Sequence, residues 1–200
     1  EPCLATSKPD FGLCRSLLTH SVRKRMMSDV GVGTFLSGGI DSSLITALAA
    51  KENPNIRAYT VGMEGAPDVE MARRVASFLG IQHIVKTFTI DDMLALLPEA
   101  IYYIESYNPS MVTGAIVTYM CSKLAAEDGA KVVLCGEGAD ELFGGYSAVR
   151  SLTFLELRRK LADLLRNLHK TELKRLDRLS MATTLEARVP FLDRQFVEYA

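Results

Sequence analysis

The chain has 200 residues, of which 48% are hydrophobic and 24% are charged, a composition typical of a globular protein with a sizeable core. Lys and Arg number 23 and Asp and Glu number 24, so the net charge of -1 provides no overall field for nucleic-acid or membrane binding. The sequence has no apolar run as long as a membrane span, and its four cysteines form no CxxC pair that would indicate a zinc site. These features predict a reduced, cytoplasmic protein without nucleic-acid or membrane partners.

Short apolar runs alternate with helical patterns along the first two thirds of the chain. Residues 1–14 contain prolines and glycine and are typical of a linker or trimmed end, whereas residues 15–28 have the apolar spacing of an amphipathic helix. The predicted strands cover residues 32–36, 58–61, 84–88 and 132–134. The predicted helices between them cover residues 44–50, 69–79, 91–105 and 115–127, with Pro98 marking a kink or boundary in the third.

This alternation predicts an α/β fold, a doubly wound parallel sheet with helices on both faces. After Tyr146 the pattern becomes helical, over residues 152–168 and 171–181, and no further strand is predicted. The predicted fold class therefore includes an additional C-terminal helical part. Lys and Arg exceed Asp and Glu in these helices, which is typical of a solvated helix face rather than a nucleic-acid surface.

The loop of residues 37–43, Ser-Gly-Gly-Ile-Asp-Ser-Ser, lies where the first predicted strand ends and a helix begins. Paired glycines allow close backbone approach to a ligand, and a helix N-terminus supplies free N–H groups and a positive dipole. These features predict a phosphate-binding loop. Asp41 would repel phosphate, and a Mg²⁺ ion between the two removes that conflict. The P-loop lysine pattern is missing, and a GxGxxG match that begins at Gly31 fails at Leu36.

A second glycine-rich loop, Gly-Glu-Gly-Ala-Asp-Glu-Leu-Phe-Gly-Gly-Tyr at residues 136–146, follows the fourth predicted strand. In open α/β sheets, ligands bind at the carboxyl ends of the strands near the point where strand order reverses. The two loops are therefore expected to meet and to bring Asp41 toward Glu137, Asp140 and Glu141. Helix capping by these acids is the alternative interpretation of the second string.

The string at residues 37–43 resembles the SGGxDS signature of the N-type ATP pyrophosphatases, which hold the β,γ-pyrophosphate and cleave ATP between its α- and β-phosphorus atoms. Together with residues 136–146 and with Glu-Ala-Arg-Val-Pro-Phe-Leu-Asp at residues 186–193, it resembles the synthetase domain of the glutamine-dependent asparagine synthetases. The resemblance implies an adenine nucleotide alpha hydrolase-like, Rossmann-like fold over residues 15–200. The β-lactam synthetases share this architecture and are the nearest alternative.

The resemblance implies an ATP-dependent ligase that converts aspartate to asparagine. The aspartate β-carboxylate would attack the α-phosphorus of ATP, giving β-aspartyl-AMP and pyrophosphate, and ammonia would then displace AMP. ATP and Mg²⁺ are the implied cofactors, and a glutaminase domain of the parent protein is the implied source of ammonia. The resemblance also suggests a homodimer.

The family pattern further implies roles for individual positions. Glu137 matches the catalytic acid associated with formation of the aspartyl-adenylate, and Asp41 and Asp140 match residues that hold Mg²⁺. The implied ATP-binding residues are Leu36, Ser37, Gly38, Gly39, Asp41, Ser42, Val61 and Gly136. The implied substrate-lining residues are Asp68, Glu105 and Thr113, and the residues expected to be structural are Arg188 and Asp193.

Three departures from the family pattern leave the substrate and the activity open. The sequence has no glutaminase domain, and it stops before the family's downstream catalytic lysine, so a truncated synthetase domain is expected whose activity by itself is not implied. Thr113 stands where many family members carry an arginine, a natural partner for a substrate carboxylate. The alternatives are an acyl-adenylating amidotransferase for another carboxylate, a β-lactam-synthetase-like enzyme, a non-catalytic nucleotide-binding remnant and, less favoured, a tRNA-modifying enzyme.

Overall fold

A computed structural model describes residues 9–200 as alternating strands and helices. The strands are β1 (Val32–Phe35), β2 (Arg57–Met63), β3 (Gln82–Phe88), β4 (Val132–Leu134) and β5 (Glu186–Arg188). The helices are α1 (Phe11–Arg25), α2 (Ile40–Glu52), α3 (Pro67–Leu79), α4 (Ile90–Ile104), α5 (Pro109–Glu127), α6 (Ala139–Phe143), α7 (Phe154–Asn167), α8 (Glu172–Met181) and α9 (Arg194–Tyr199).

The five strands form one parallel sheet in the order β3-β2-β1-β4-β5. The chain builds outward from β1 to β3 on one side and then returns to add β4 and β5 on the other, so strand order reverses between β1 and β4. This arrangement confirms the predicted α/β doubly wound sheet and places the reversal point between the two strands that carry the glycine-rich loops.

Strand β5 corrects the expectation that no strand follows residue 181. It pairs with β4 over three residues, with Ala187 opposite Val133. An edge strand of three residues with charged residues at both ends has no apolar run or alternation, so its sequence gives no strand signal.

At α1 and α5, a capping residue places the helix start earlier than predicted. Helix α1 begins at Phe11, where Asp10 accepts a hydrogen bond from the backbone N–H of Leu13 at 3.0 Å, so part of the expected linker is helical. Residues 1–8 of that predicted linker lie outside the described part of the chain. Helix α5 begins at Pro109 rather than residue 115, because Asn108 caps it and proline suits the first helical position. Helix α4 continues through Pro98 without ending there.

The core lies on both faces of the sheet. Along β4, Val132 and Leu134 belong to the cluster formed with α1, α2 and α9, whereas Val133 belongs to the cluster formed with α5 and α8. Because both faces are covered, β4 is a continuous, fully buried apolar run rather than an alternating one. None of the helices in residues 9–200 is both long and apolar enough to cross a membrane.

The buried side chain of Asp193 joins the segment after β5 to α1, as expected for a structural residue. Its side chain is 4% exposed, and its Oδ2 accepts hydrogen bonds from Arg25 Nη1 at 2.9 Å and Lys24 Nζ at 3.1 Å. Its Oδ1 accepts from the backbone N–H of Gln195 and so caps α9. Arg188 Nη1 donates to the carbonyl of Arg25 at 2.7 Å, which ties β5 to the end of the same helix.

Replacement of Asp193 by alanine should destabilise the fold. The substitution removes a buried ionic partner and a helix cap, so the free energy of unfolding should fall by about 3 kcal/mol, as measured by urea denaturation at pH 7. Lys24→Ala is the matched control, because Lys24 is 57% exposed and its loss should cost about 1 kcal/mol or less. Equal losses in the two variants would contradict this role of Asp193.

The Asp193 carboxyl also makes the stability of the fold depend on pH. Burial alone would raise the pKa of the Asp193 carboxyl, but hydrogen bonds from Arg25 and Lys24 outweigh it and lower the pKa from 3.8 to about 2. The stabilisation is therefore complete above pH 3.8 and is lost as the pH falls toward 2. The difference in the free energy of unfolding between wild type and Asp193→Ala should become smaller as the pH falls from 3.8 toward 2.

Candidate active site

A cavity of about 320 Å³ lies at the carboxyl ends of β1 and β4, where strand order reverses. Such reversal points are the usual ligand positions of open α/β sheets. Its walls come from the loop after β1, the loop after β4 and the first turn of α8. The lining residues are Phe35, Ser37, Asp41, Ser42, Gly136, Glu137, Gly138, Asp140, Glu141, Tyr146, Glu172 and Arg175.

The loop after β1 leads directly into the N-terminus of α2. Gly38 has a φ of 81°, and a Cβ there would lie 2.6 Å from the carbonyl oxygen of Asp68, so only glycine fits. No side chain caps α2 at Gly39. The hydroxyls of Ser37 and Ser42 lie 2.8 Å apart beside this turn. The result is a helix N-terminus with hydroxyl donors at its edge, which is suited to bind phosphate oxygens.

The loop after β4 packs on that same turn. A Cβ at Gly136 would lie 2.9 Å from the backbone nitrogen of Ser42 and 3.2 Å from the carbonyl carbon of Asp41. Gly138, with a φ of 98°, lies against Leu192, since a Cβ there would be 2.5 Å from Leu192 Cδ2. The segment clamped by Asp193 therefore supports the second loop from behind, and the second loop contacts the first.

The cavity is strongly acidic. Asp41, Glu137, Asp140, Glu141 and Glu172 line it together with a single cationic side chain, Arg175. Burial, followed by the charges of Asp140 and Glu141, raises the pKa of Asp41. Burial also raises the pKa of Glu137, against the opposing charge of Arg175. Carboxylates held this close in a partly buried site favour a bound cation.

Asp41 and Asp140 fit the predicted Mg²⁺ site. Both carboxylates line the same cavity, and burial together with the charge of Asp140 raises the pKa of Asp41. A Cβ at Gly145 would collide with Asp140 Oδ1. The Asp140 carboxylate therefore lies against the backbone of its own loop. Within residues 9–200, no group of three or more His, Cys, Asp or Glu side chains could hold a metal by itself. Mg²⁺ commonly takes one or two carboxylates together with phosphate oxygens and water, and this pair suits that mode.

Six of the predicted site residues line the cavity. They are Ser37, Asp41, Ser42, Gly136, Glu137 and Asp140. Gly38 and Gly39 form the turn between them. Leu36 is 1% exposed and packs near Ala72, and Val61 is half-buried in β2, so neither lines the cavity. The adenosine contacts of Leu36 and Val61 stay predictions.

The three predicted substrate-lining residues lie outside the cavity walls. Asp68 is exposed at the start of α3, where its carbonyl contacts the Gly38 turn. Glu105 follows α4 and pairs with Arg178 at 2.7 Å. Thr113 is exposed on α5, and its hydroxyl donates to the carbonyl of Pro109 at 2.9 Å. A role for these residues in binding substrate stays a prediction.

Tyr146, Glu172 and Arg175 are among the cavity residues that the sequence analysis did not assign to the site. Tyr146 ends the second loop, and its hydroxyl donates to Glu141 Oε1 at 2.5 Å. Glu172 and Arg175 lie one turn apart on α8, in the basic stretch that was interpreted as a solvated helix face. Arg175 is only 20% exposed, so that interpretation is wrong at this position. No local pattern separates this arginine from its solvated neighbours.

The fold and cavity together define an open, parallel α/β domain with an acidic cavity where strand order reverses. The asparagine synthase family model matches residues 13–163 and 154–200, so the chain belongs to the asparagine synthase family, and the predicted family resemblance is confirmed.

Two curated relatives carry names that agree with this family. The chain is 38% identical over 220 residues to a probable glutamine-hydrolysing asparagine synthetase of Schizosaccharomyces pombe, covering 100% of this chain and 40% of that protein. It is 33% identical over 232 residues to glutamine-hydrolysing asparagine synthetase 1 of Saccharomyces cerevisiae, covering 99% of this chain and 41% of that protein. The chain therefore spans about two fifths of the length of these relatives.

Among solved structures, the fold is similar to an NMN synthetase from Francisella tularensis, with a TM-score of 0.50 and 16% identity over 84% of this chain and 74% of that one. At this identity the likeness concerns the fold alone.

Proposed function

We propose that this chain forms the ATP-dependent, amide-forming part of an asparagine synthetase. The observation that carries the proposal is the contact between Gly136 and the first turn of α2. It brings an uncapped helix N-terminus, two serine hydroxyls and a set of carboxylates to one cavity. Membership of the asparagine synthase family supports ATP as the nucleotide and an amide as the product.

In this proposal the triphosphate binds along the loop after β1. The backbone N–H groups from Gly38 to the start of α2, with the Ser37 and Ser42 hydroxyls, hold the pyrophosphate portion. Asp41 and Asp140 would hold Mg²⁺, which supplies positive charge to offset the phosphates and the incoming carboxylate. This arrangement accounts for acids lining a cavity that binds an anionic nucleotide.

The reaction proceeds in two displacements. A carboxylate oxygen of aspartate forms a bond to the α-phosphorus, and the bond to the β-phosphate oxygen breaks, releasing pyrophosphate. Ammonia then forms a bond to the acyl carbon, the acyl carbon–oxygen bond breaks and AMP leaves. The attacking nitrogen must lose a proton. Glu137 lies in the cavity with a pKa raised by burial, so it is a stronger proton acceptor than a surface glutamate.

Thr113 makes a carboxylate other than aspartate a second candidate for the acyl substrate. Its short side chain bonds to the carbonyl of Pro109, so α5 presents no cation at this position to bind the carboxylate of an amino acid. An acyl-adenylating amidotransferase for a different carboxylate would use the same loops. Pyrophosphate release measured with a panel of carboxylates separates this candidate from aspartate amidation. The relatives' names include glutamine hydrolysis, and we propose that a glutaminase domain of the same protein supplies ammonia.

Asp41→Ala should weaken Mg²⁺-dependent ATP binding. The substitution removes one proposed metal ligand and leaves the backbone loop in place, so the Kd for ATP should rise at least tenfold, which corresponds to about 1.4 kcal/mol. Isothermal titration calorimetry with Mg²⁺ and with EDTA measures this change. Asp91→Ala, at an exposed acid on α4, is the matched control and should bind as wild type does. Equal affinities of Asp41→Ala and wild type with Mg²⁺ would remove Asp41 from the site.

Glu137→Gln should impair chemistry more than nucleotide binding. The variant keeps the shape and a hydrogen-bonding oxygen but loses the charge, so kcat for amide formation should fall roughly 100-fold, the scale of a positioned acid–base group. The Kd for Mg·ATP should change little because binding depends on residues 37–42. Glu64→Gln, at an exposed turn, is the control and should retain wild-type kcat. A Glu137→Gln enzyme with wild-type kcat would leave Glu137 without a catalytic role.

A further inference from the structure

A glycine in the second turn of α5, Gly114, makes room for Arg175, the one cationic side chain among the described residues that line the cavity. A Cβ at Gly114 would lie 2.6 Å from Arg175 Nη1 and 3.0 Å from Arg175 Cδ. Arg175 therefore crosses directly over the α5 backbone, at a position where any larger residue would force it away. Glycine weakens a helix interior relative to alanine, so its presence inside a 19-residue helix is explained by this packing.

Arg175 uses that path to contact two acids. Its Nη2 lies 3.8 Å from Glu137 Oε1, and its Nη1 pairs with Glu172 Oε2 one turn earlier on α8. Its Nε is buried and has no hydrogen-bond partner in the described part of the chain. The guanidinium thus forms its two ion pairs through the Nη atoms while it packs against α5 at Gly114.

The two acids and the arginine are all mostly buried. Their side chains are 20% exposed for Arg175, 24% for Glu137 and 28% for Glu172. Interactions between charges strengthen as water is excluded. Without the guanidinium, Glu137 would face the carboxylates of Glu172 and Glu141 with no cation among the cavity walls to offset them. Repulsion would then turn the Glu137 side chain away or favour its neutral form.

We propose that Gly114 and Arg175 form a positioning pair for Glu137, in which the space above Gly114 places the Arg175 guanidinium between Glu137 and Glu172 and so fixes the orientation of Glu137 in the cavity. This inference rests on the proposed function for the role of Glu137. It extends that function to a residue on α5 and a residue on α8 that do not themselves react.

The test compares Gly114→Ala, Arg175→Lys and the double variant with wild type. Gly114→Ala should lower kcat for carboxylate-dependent pyrophosphate release at least tenfold and leave KM for Mg·ATP within twofold, since the loop after β1 is untouched. Arg175→Lys should likewise lower kcat and leave KM for Mg·ATP nearly unchanged, because an ammonium cannot bridge both acids as a guanidinium does. The double variant should be no worse than Arg175→Lys alone, because Arg175→Lys has already removed the guanidinium that the new methyl group would displace.

Gly31→Ala is the matched control, since a Cβ at Gly31 meets no atom within 4 Å and the residue lies at the opposite end of β1. It should behave as wild type. Alanine is the better helix former, which offsets part of the cost of displacing Arg175, and thermal denaturation should show that Gly114→Ala is fully folded at the assay temperature. A fall in stability together with unchanged kcat would mean that the contact is merely structural and would overturn the inference.

Two NMR signals make the result independent of turnover. In protein labelled on arginine and glutamate, the Nε–Hε signal of Arg175 and the carboxyl carbon signal of Glu137 should both shift in Gly114→Ala and stay in place in Gly31→Ala. A wild-type protein that releases no pyrophosphate with any carboxylate would contradict the proposed function, and shifted signals would still support the pair. Unchanged signals and unchanged kcat in Gly114→Ala would overturn it.

Discussion

The close contact between Gly136 and the first turn of α2 is the constraint on which the rest of the site depends. It requires a residue without a Cβ just after β4, beside the backbone of Asp41 and Ser42 in the first turn of α2. Parallel pairing of β1 with β4 brings these two strand ends side by side. The fold therefore places an uncapped helix N-terminus and an acidic loop within one cavity before any ligand is considered.

Support for this contact comes from a segment far along the sequence. Asp193 joins the chain after β5 to α1, and Leu192 beside it fills the space left by Gly138 in the second loop. The three sequence strings that resemble the family are thus three layers of one arrangement: the serine- and glycine-rich loop after β1, the acidic loop packed on it, and the buried support behind the acidic loop. This packing gives the VPFLD string a structural reason that does not depend on contact with a ligand.

The charge of the cavity follows from the same arrangement. Five carboxylates with one guanidinium would repel a triphosphate, so the site as built calls for added positive charge. Mg²⁺ held by Asp41 and Asp140 would supply part of it. Arg175 is already engaged by Glu137 and Glu172, and it is therefore better placed to orient an acid than to bind a phosphate.

Much of the fold and about half of the cavity could be predicted from the sequence, because the predicted cavity residues are close neighbours along the chain. Residues 37–42 and 136–140 lie in short strings at strand ends, so pattern and spacing identify them together. Glu172 and Arg175 reach the same cavity only through packing of α8 on α5, which no local pattern encodes. The three-residue β5 was missed because it is too short to show a period. The early start of α5 did have a signal, the Asn108-Pro109 cap, which places Gly114 inside the helix.

The fate of a labelled carboxylate oxygen tests the central claim most directly. Incubation with Mg·ATP, ammonia and aspartate carrying ¹⁸O in its β-carboxylate, followed by mass spectrometry of the nucleotide products, distinguishes adenylation from phosphorylation. Attack on the α-phosphorus predicts AMP that contains one ¹⁸O atom together with unlabelled pyrophosphate. Formation of ADP with the label in inorganic phosphate would contradict the account, because the loop after β1 would then direct cleavage at the γ-phosphorus.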